Sequence, residues 1–311
     1  MKELYIIFES YEDLFRVQQR YFLSNFINQG MILFSKSSTK KSLTFVSEDC
    51  REFDTLLGIN WQCTRVDISD FNSKIYFPYF LDTDFFVKNY KLFFQGVVSL
   101  IQESDYWDLD TEHKRYLIEE LLCTVADQHT DGVSHGYLSF YSNYLYYLSQ
   151  LRAIADKKSY QKIKKRIEFV SDLDRGHFKE ELVTFPKLSK NLGMVNKELV
   201  KNVEKLDLRQ LPSPYDFFKN SKVHLEYSEF HKNVFSNPLL LKRYSDIHFV
   251  SYRIIMGFFF KVLPLLGISL NERNHILYLF VRHVEEYFNV DWKKQINESI
   301  KWEECNVNPK R

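Results

Sequence analysis

The residues with the clearest chemical potential lie in HFVSYRIIMG, residues 248–257. On a helix, steps of three and four residues bring side chains together, so His248, Ser251, Tyr252 and Ile255 share one face. An imidazole, a hydroxyl and a phenol placed side by side form a set able to relay protons. Arg253 points about 140° away from His248 by helix geometry and suits an anchor to a carboxylate or a neighbouring element. Both His248 and Arg253 sit in an apolar helix pattern, and each is costly to bury without a partner. Spacing alone favours a satisfied core histidine over a catalytic one.

A second set is SHGYLSFYSNYLYYL, where Ser134 and His135 follow Asp131 and Gly132 at an expected helix start. The unpaired N–H groups of a helix N-terminus favour anionic or carbonyl groups, so a substrate carboxylate or carbonyl fits there. The plainer reading, an N-cap serine with a surface histidine, is favoured by pattern alone. Tyr137, Tyr141 and Tyr144 suit a core better than a substrate platform, although Tyr141 stays a candidate contact. The chain holds no glycine-rich phosphate loop, GxSxG elbow or HExxH, and no carboxylate pair of compelling spacing. Cys50, Cys63, Cys123 and Cys305 form no CxxC and have no histidine at ligand spacing, so no metal and no cofactor is expected. An enzyme of this composition works through acid–base groups and positioning.

The elements that must hold these groups read as an α+β fold. ELYIIFE is β-rich, Tyr11 to Gln29 has helical spacing and ends at Gly30, and MILFSK and SLTFVSE are strands about a polar KSSTKK turn. This is half of a ferredoxin-like split βαβ arrangement. WQCTRVDIS and KIYFPYF add two extended segments, and from Thr83 onward the pattern is helical. Expected helices include Tyr244 to Leu266, broken or kinked at Pro264, then Asn271 to Tyr287, and a last one near Trp292 to Trp302. LPSPYDFF reads as a connection rather than a domain boundary. One integrated unit over 1–311 is expected, with a β-containing part at 1–82 and a helical part at 83–311.

Composition narrows the classes further. Among 311 residues, 42 Lys and Arg balance 41 Asp and Glu, so no global field points to nucleic acid or a membrane surface. Aromatic residues make up 17% of the chain while Gly and Pro number only 9 and 7, which implies long regular elements with ring-rich cores. The apolar run IIMGFFFKVLPLLGI, interrupted by Lys261 and Pro264, reads as shorter than a membrane span. The acidic start MKELYIIFESYEDLF does not read as a signal peptide, and a cytoplasmic protein is expected. The lysines of KKSYQKIKKR suit a solvated face, or a dock for an acidic peptide.

His248, Arg253 five residues on and Gly257 four beyond, followed by a helix with Glu272 and Arg273, resemble the lantibiotic dehydratase C-terminal, or thiopeptide-type bacteriocin biosynthesis, family. There a His-Met-x-x-Asn-Arg segment precedes a helix with Glu-Arg; here Phe249 stands in place of Met and Tyr252 in place of Asn. YFPYFLDTDFF stands where the family has a Tyr-Pro-Glu-type stretch, and Ser134-His135 precedes a helix. The resemblance spans nearly the whole chain. Elimination enzymes of the family carry arginines on the N-terminal strands. Here the matching segments read LFSKS and SLTFVS, so Lys36 stands in for one arginine while Thr44 and Val46 occupy the others. A lysine is a point charge and not a bidentate fork.

The resemblance therefore implies the stand-alone, pyridine-synthase-like branch. Its members carry out a formal aza-cycloaddition of two dehydroalanines, forming a nitrogen heterocycle and macrocycle with release of the leader peptide. On this expectation His248 shuttles protons, Tyr252 or Ser251 donates to the amide oxygen, and Arg253, Ser134, His135, Lys36 and Tyr141 contact substrate. The implied partner is a precursor peptide, leader and modified core, read by the N-terminal β-rich part and the KKSYQKIKKR helix; homodimerisation stays open. The alternatives are a glutamate-eliminating lyase of a split dehydratase and a non-catalytic peptide-binding scaffold.

Overall fold

The computed structural model describes residues 1–24, 31–34, 41–48, 53, 63–71, 83–202, 214–222 and 224–307. Its strands are β1 (Lys2–Phe8), β2 (Ile32–Phe34), β3 (Ser42–Ser47) and β4 (Cys63–Asp70). Helix α1 (Tyr11–Leu23) lies between β1 and β2 in sequence, and α2 (Thr83–Glu103) follows β4. The later helices are α3 (Thr111–Ala126), α4 (Val133–Ile154), α5 (Lys157–Ile167), α6 (Asp172–His177), α7 (Pro186–Asn202) and α8 (Pro214–Lys219). They continue as α9 (Glu229–Ser236), α10 (Pro238–Arg243), α11 (Ile247–Val262), α12 (Leu270–Tyr287) and α13 (Trp292–Val307).

The sheet order β2-β3-β1-β4, with every neighbouring pair antiparallel, sets β3 between β1 and β2. That is the split βαβ topology expected from the pattern, and the chain is an α+β protein. Leu4, Ile6 and Phe8 alternate along β1 and are buried, as period-two side chains on a core face must be. On β3 both faces are covered: Leu43 and Phe45 are buried, and so are Thr44 and Val46. The expected KIYFPYF strand, the KSSTKK turn apart from Lys41, Gly30 and Lys36 lie outside the described residues.

The chain groups into two compact units. The first comprises Met1–Leu117, Phe185–Glu198 and Ile254–Leu270; the second comprises Ile118–Thr184, Leu199–Arg253 and Asn271–Arg311. In the first, aromatic rings build the core: Tyr90 stacks on Phe34 at 4.8 Å and on Phe94 at 5.7 Å, and meets Phe258 edge-on at 5.5 Å. Buried phenols find backbone acceptors, Tyr21 donating to Met31 O at 2.7 Å and Tyr106 to Leu266 O at 3.0 Å. The break expected at Pro264 is present: α11 ends at Val262, a 3-10 turn spans Leu263–Leu266, and Gly267 at φ 77° stops it.

Three expectations need correction. The apolar stretch is not too short for a membrane, since Ile247–Leu266 is long and apolar enough, but 67% of it is buried inside the protein, as in a core helix. The helix begun at Tyr11 stops at Leu23 because Ser24 caps it, its N–H bonding back to Arg20 O and Tyr21 O. The LPSPYDFF segment is not merely a connection, because Pro214 starts α8, where its missing N–H is no loss.

Buried neutral histidines give the second unit a pH dependence. His231 is fully buried, with Ser228 Oγ 2.8 Å from Nδ1 and Ser142 Oγ 3.0 Å from Nε2, and burial pulls its pKa down to about 3. Burial pulls His129 down to about 4. Below about pH 6.5 the unfolded chain takes up protons that these folded imidazoles refuse, so stability is present above that pH and falls as the pH drops toward 4. Each contributes a slope of about 1.4 kcal/mol per pH unit in that window. Urea unfolding at pH 7 and pH 5 checks this: the midpoint falls clearly at pH 5, and equal midpoints would refute it.

Candidate active site

The α3–α4 junction is a tight reversal, HTDGVSH, with a histidine at each end. Gly132 adopts φ 66° and caps α4, so the helix begins at Val133. Ser134 is therefore not the N-cap; it lies in the first turn with its Oγ 3.2 Å from Asp131 O and 3.2 Å from His135 Nδ1. Its one hydroxyl proton can serve only one of them. When that proton bonds the carbonyl, His135 Nδ1 donates to Oγ and Nε2 is left as a base.

His129 returns across the reversal to face His135, their rings nearly parallel at 11° and 6.2 Å apart. The Asp131 N–H donates to His129 Nδ1 at 3.1 Å, which fixes the proton of the neutral ring on Nε2. Tyr252 meets His129 edge-on at 5.3 Å, and Phe249 does so at 5.9 Å. Arg243 approaches Asp131 at 3.7 Å and donates to Ser299 Oγ at 3.2 Å, which sets a cation beside the two imidazoles. Burial lowers the pKa of His135, with Asp131 opposing and Arg243 adding to the shift. Both imidazoles are thus kept neutral at physiological pH, as a general base must be.

Close packing makes the junction possible. A Cβ on Gly136 would stand 2.2 Å from Ala126 O, so only glycine lets the first turn of α4 lie against the end of α3. The Gly136 carbonyl accepts the Tyr252 hydroxyl at 2.7 Å, tying α11 to the same point. Tyr252 is fully buried, its proton is committed to that carbonyl, and burial raises its pKa. It positions His129.

The other expected residues are distributed differently. His248 is not buried in the apolar helix: it is exposed in the first turn of α11, where Asp246 Oδ1 caps its N–H at 3.0 Å. Ser251 is fully buried. Arg253 lies over the Tyr244 ring at 5.6 Å, and burial lowers its pKa against the opposing pull of Tyr244 and Asp216. Tyr141 packs against the Phe230, Val234, Leu240 and Ile296 cluster, meeting Phe230 at 5.4 Å, and burial pushes its phenol up to about 12. His135 and Tyr252 therefore meet His129, and Ser134 joins the group through His135. Sequence reasoning passed over His129, Asp131 and Arg243; two histidines flanking an Asp-Gly turn were the available signal.

Cys123 is a buried free thiol pushed up to about 12 by burial, and Cys63 is half-buried and free. Among the described residues one group has metal-ligand geometry: Glu119, His177 and His283, whose candidate ligand atoms lie within 4.8 Å of one another.

No protein-family model matches the chain, and no curated protein matches it by sequence. In structure the chain is similar to the crystal structure of TsrL, at 14% identity and a TM-score of 0.60, covering 96% of this chain and 98% of that one. At that identity the likeness shows the fold.

Proposed function

We propose that the protein is a thiopeptide-type biosynthetic enzyme that joins two dehydroalanines of a precursor peptide by a formal aza-cycloaddition. The observation that carries the reading is the pair of neutral imidazoles, His129 and His135, beside the Ser134 hydroxyl and the Arg243 cation. The end-to-end likeness to TsrL supports a role in thiopeptide biosynthesis. Thr44 and Val46, both buried and uncharged where elimination enzymes carry arginines, speak against the glutamate-eliminating alternative.

The chemistry needs a backbone amide to move its proton from nitrogen to oxygen, giving an iminol whose C=N is conjugated with one dehydroalanine. Two bonds then join this four-atom system to the C=C of the second dehydroalanine and close the six-membered ring. Water leaves with the former amide oxygen, and the leader leaves as an amide, each departure taking a proton at the leaving group and giving one up at the ring. His135 suits the transfer of these protons. Ser134 and His129 orient it, and Arg243 balances developing charge on oxygen. Holding the two alkenes in a reactive pose supplies up to about 7–11 kcal/mol in the best oriented cases. The exposed His248 remains a candidate contact for the peptide.

Purified protein incubated with a peptide carrying two dehydroalanines and azoles tests this by mass spectrometry. Two products are expected, a macrocycle lighter by water and the leader, and the free leader amide. Release of a glutamate equivalent from an acylated peptide would favour the lyase, and tight binding with no mass change would favour the scaffold.

A further inference from the structure

Glu119 on α3, His177 at the end of α6 and His283 on α12 converge inside the second unit, and the proposed cyclisation uses none of them. His283 is 1% exposed and Glu119 6% in their side chains, while His177, at 17%, faces the open side. His283 Nε2 lies 3.1 Å from Glu180 O. A carbonyl only accepts, so that nitrogen carries a proton, and Nδ1 faces Glu119 Oε1 2.5 Å away, where the ring offers its lone pair whenever it holds no second proton. His177 repeats the pattern: its Nδ1 lies 2.9 Å from the Glu180 carboxylate, which holds a proton there, and its Nε2 lies 3.4 Å from Glu119 Oε2. With the inner nitrogens deprotonated, two imidazole lone pairs and a carboxylate share one spot, their atoms within 4.8 Å of one another. Three electron-pair donors facing one another need positive charge between them, supplied by a proton on an imidazole or by a metal ion.

We propose that this cluster is a binding site for a divalent transition-metal ion of the zinc type, held by His177 Nε2, His283 Nδ1 and Glu119. Imidazole with a single carboxylate suits ions of borderline softness over magnesium or calcium, which favour all-oxygen sets. The 3.4 Å between His177 Nε2 and Glu119 Oε2 is close to the edge of about 3.3 Å spanned by two ligands in a tetrahedron with bonds of about 2.0 Å. An ion in place of a shared proton lengthens the 2.5 Å contact of His283 with Glu119. Each histidine has its outer nitrogen held by an acceptor, both from Glu180, one by the carboxylate and one by the main-chain carbonyl. Metal-ligating histidines show this arrangement because it fixes the tautomer and raises the basicity of the ligating nitrogen. The Phe178 ring stacks on His283 at 5.7 Å and shields it, and the three protein ligands leave a coordination position for water. The ion would tie α3, α6 and α12 together.

Chelator-treated protein titrated with Zn²⁺ by calorimetry, and with Co²⁺ by visible absorption, tests the proposal without any activity assay. One equivalent binds per chain and gives a ligand-field spectrum. His177→Ala weakens binding at least 100-fold, and Glu180→Gln, which touches no ion, weakens it about 10- to 100-fold. His113→Ala, an exposed histidine paired with Asp110, leaves it unchanged. His177 is only half-buried, so its variant keeps the test valid even where Glu119→Gln fails to fold. Absence of a one-equivalent site in the wild type, or equal binding by His177→Ala, would overturn the proposal and leave an ion-paired proton cluster. A failed cyclisation assay would not bear on it.

Discussion

His135→Ala lowers the rate of macrocycle formation by about 10²–10⁴-fold, the range expected when a positioned general base is removed, while the thermal transition stays near that of the wild type. The side chain is half-buried, and its removal exposes no large apolar surface. Burial depresses its pKa, opposed by Asp131, so the ring is already free of its second proton at neutral pH. The rate of the wild type therefore stays level around pH 7 and falls only under acid conditions, and the variant loses that dependence. His248→Ala, at the exposed start of α11, changes the rate only severalfold, through peptide binding and mainly in KM. Single-turnover mass spectrometry of both variants decides between the two histidines: a large loss in His248→Ala with little in His135→Ala would return the proton shuttle to the residue that the sequence pattern put forward.

Gly136→Ala unfolds the α3–α4 junction. The added methyl would sit 2.2 Å from Ala126 O and 2.9 Å from Ala126 C, both backbone atoms that cannot turn aside. Overpacking of a tight contact costs about 1–3 kcal/mol and more where backbone must move, so about 3 kcal/mol or more is expected here. The shift would also carry the Gly136 carbonyl away from the Tyr252 hydroxyl and separate His129 from His135. Gly257→Ala provides the contrast. A Cβ there meets nothing within 4 Å among the described residues, and α11 gains helix propensity worth about 1 kcal/mol. Denaturant titration should move the two midpoints in opposite directions. A harmless Gly136→Ala would mean that the helices part easily at this junction.

The split βαβ order followed from patterns of local origin. Alternation in ELYIIFE and SLTFVS and helical spacing in α1 specify which face each element buries, and burying those faces leaves few topologies. The helices of the second half were legible for the same reason, as was the stop at Pro264, because proline acts on its own backbone. Short helices such as α6, α9 and α10 were not, since six to eight residues carry too little periodicity to register.

The sites divide along the same line. Composition and spacing determined an α+β chain of balanced charge with a histidine- and tyrosine-bearing segment at 248–257 and a Ser-His pair at 134–135. Helical spacing could place His248 and Tyr252 on one face, but whether that face meets solvent or core depends on what packs against it. Tyr252 is buried against Gly136 and His248 is left in water. His129 joins His135 only because a glycine at positive φ turns the chain between them. Glu119, His177 and His283 are 58 and 106 residues apart along the chain, counted from 119 to 177 and 177 to 283. Only the packing of α3, α6 and α12 brings their lone pairs together, and no spacing rule reaches that far, because contact across such separations is decided by burial of whole helices.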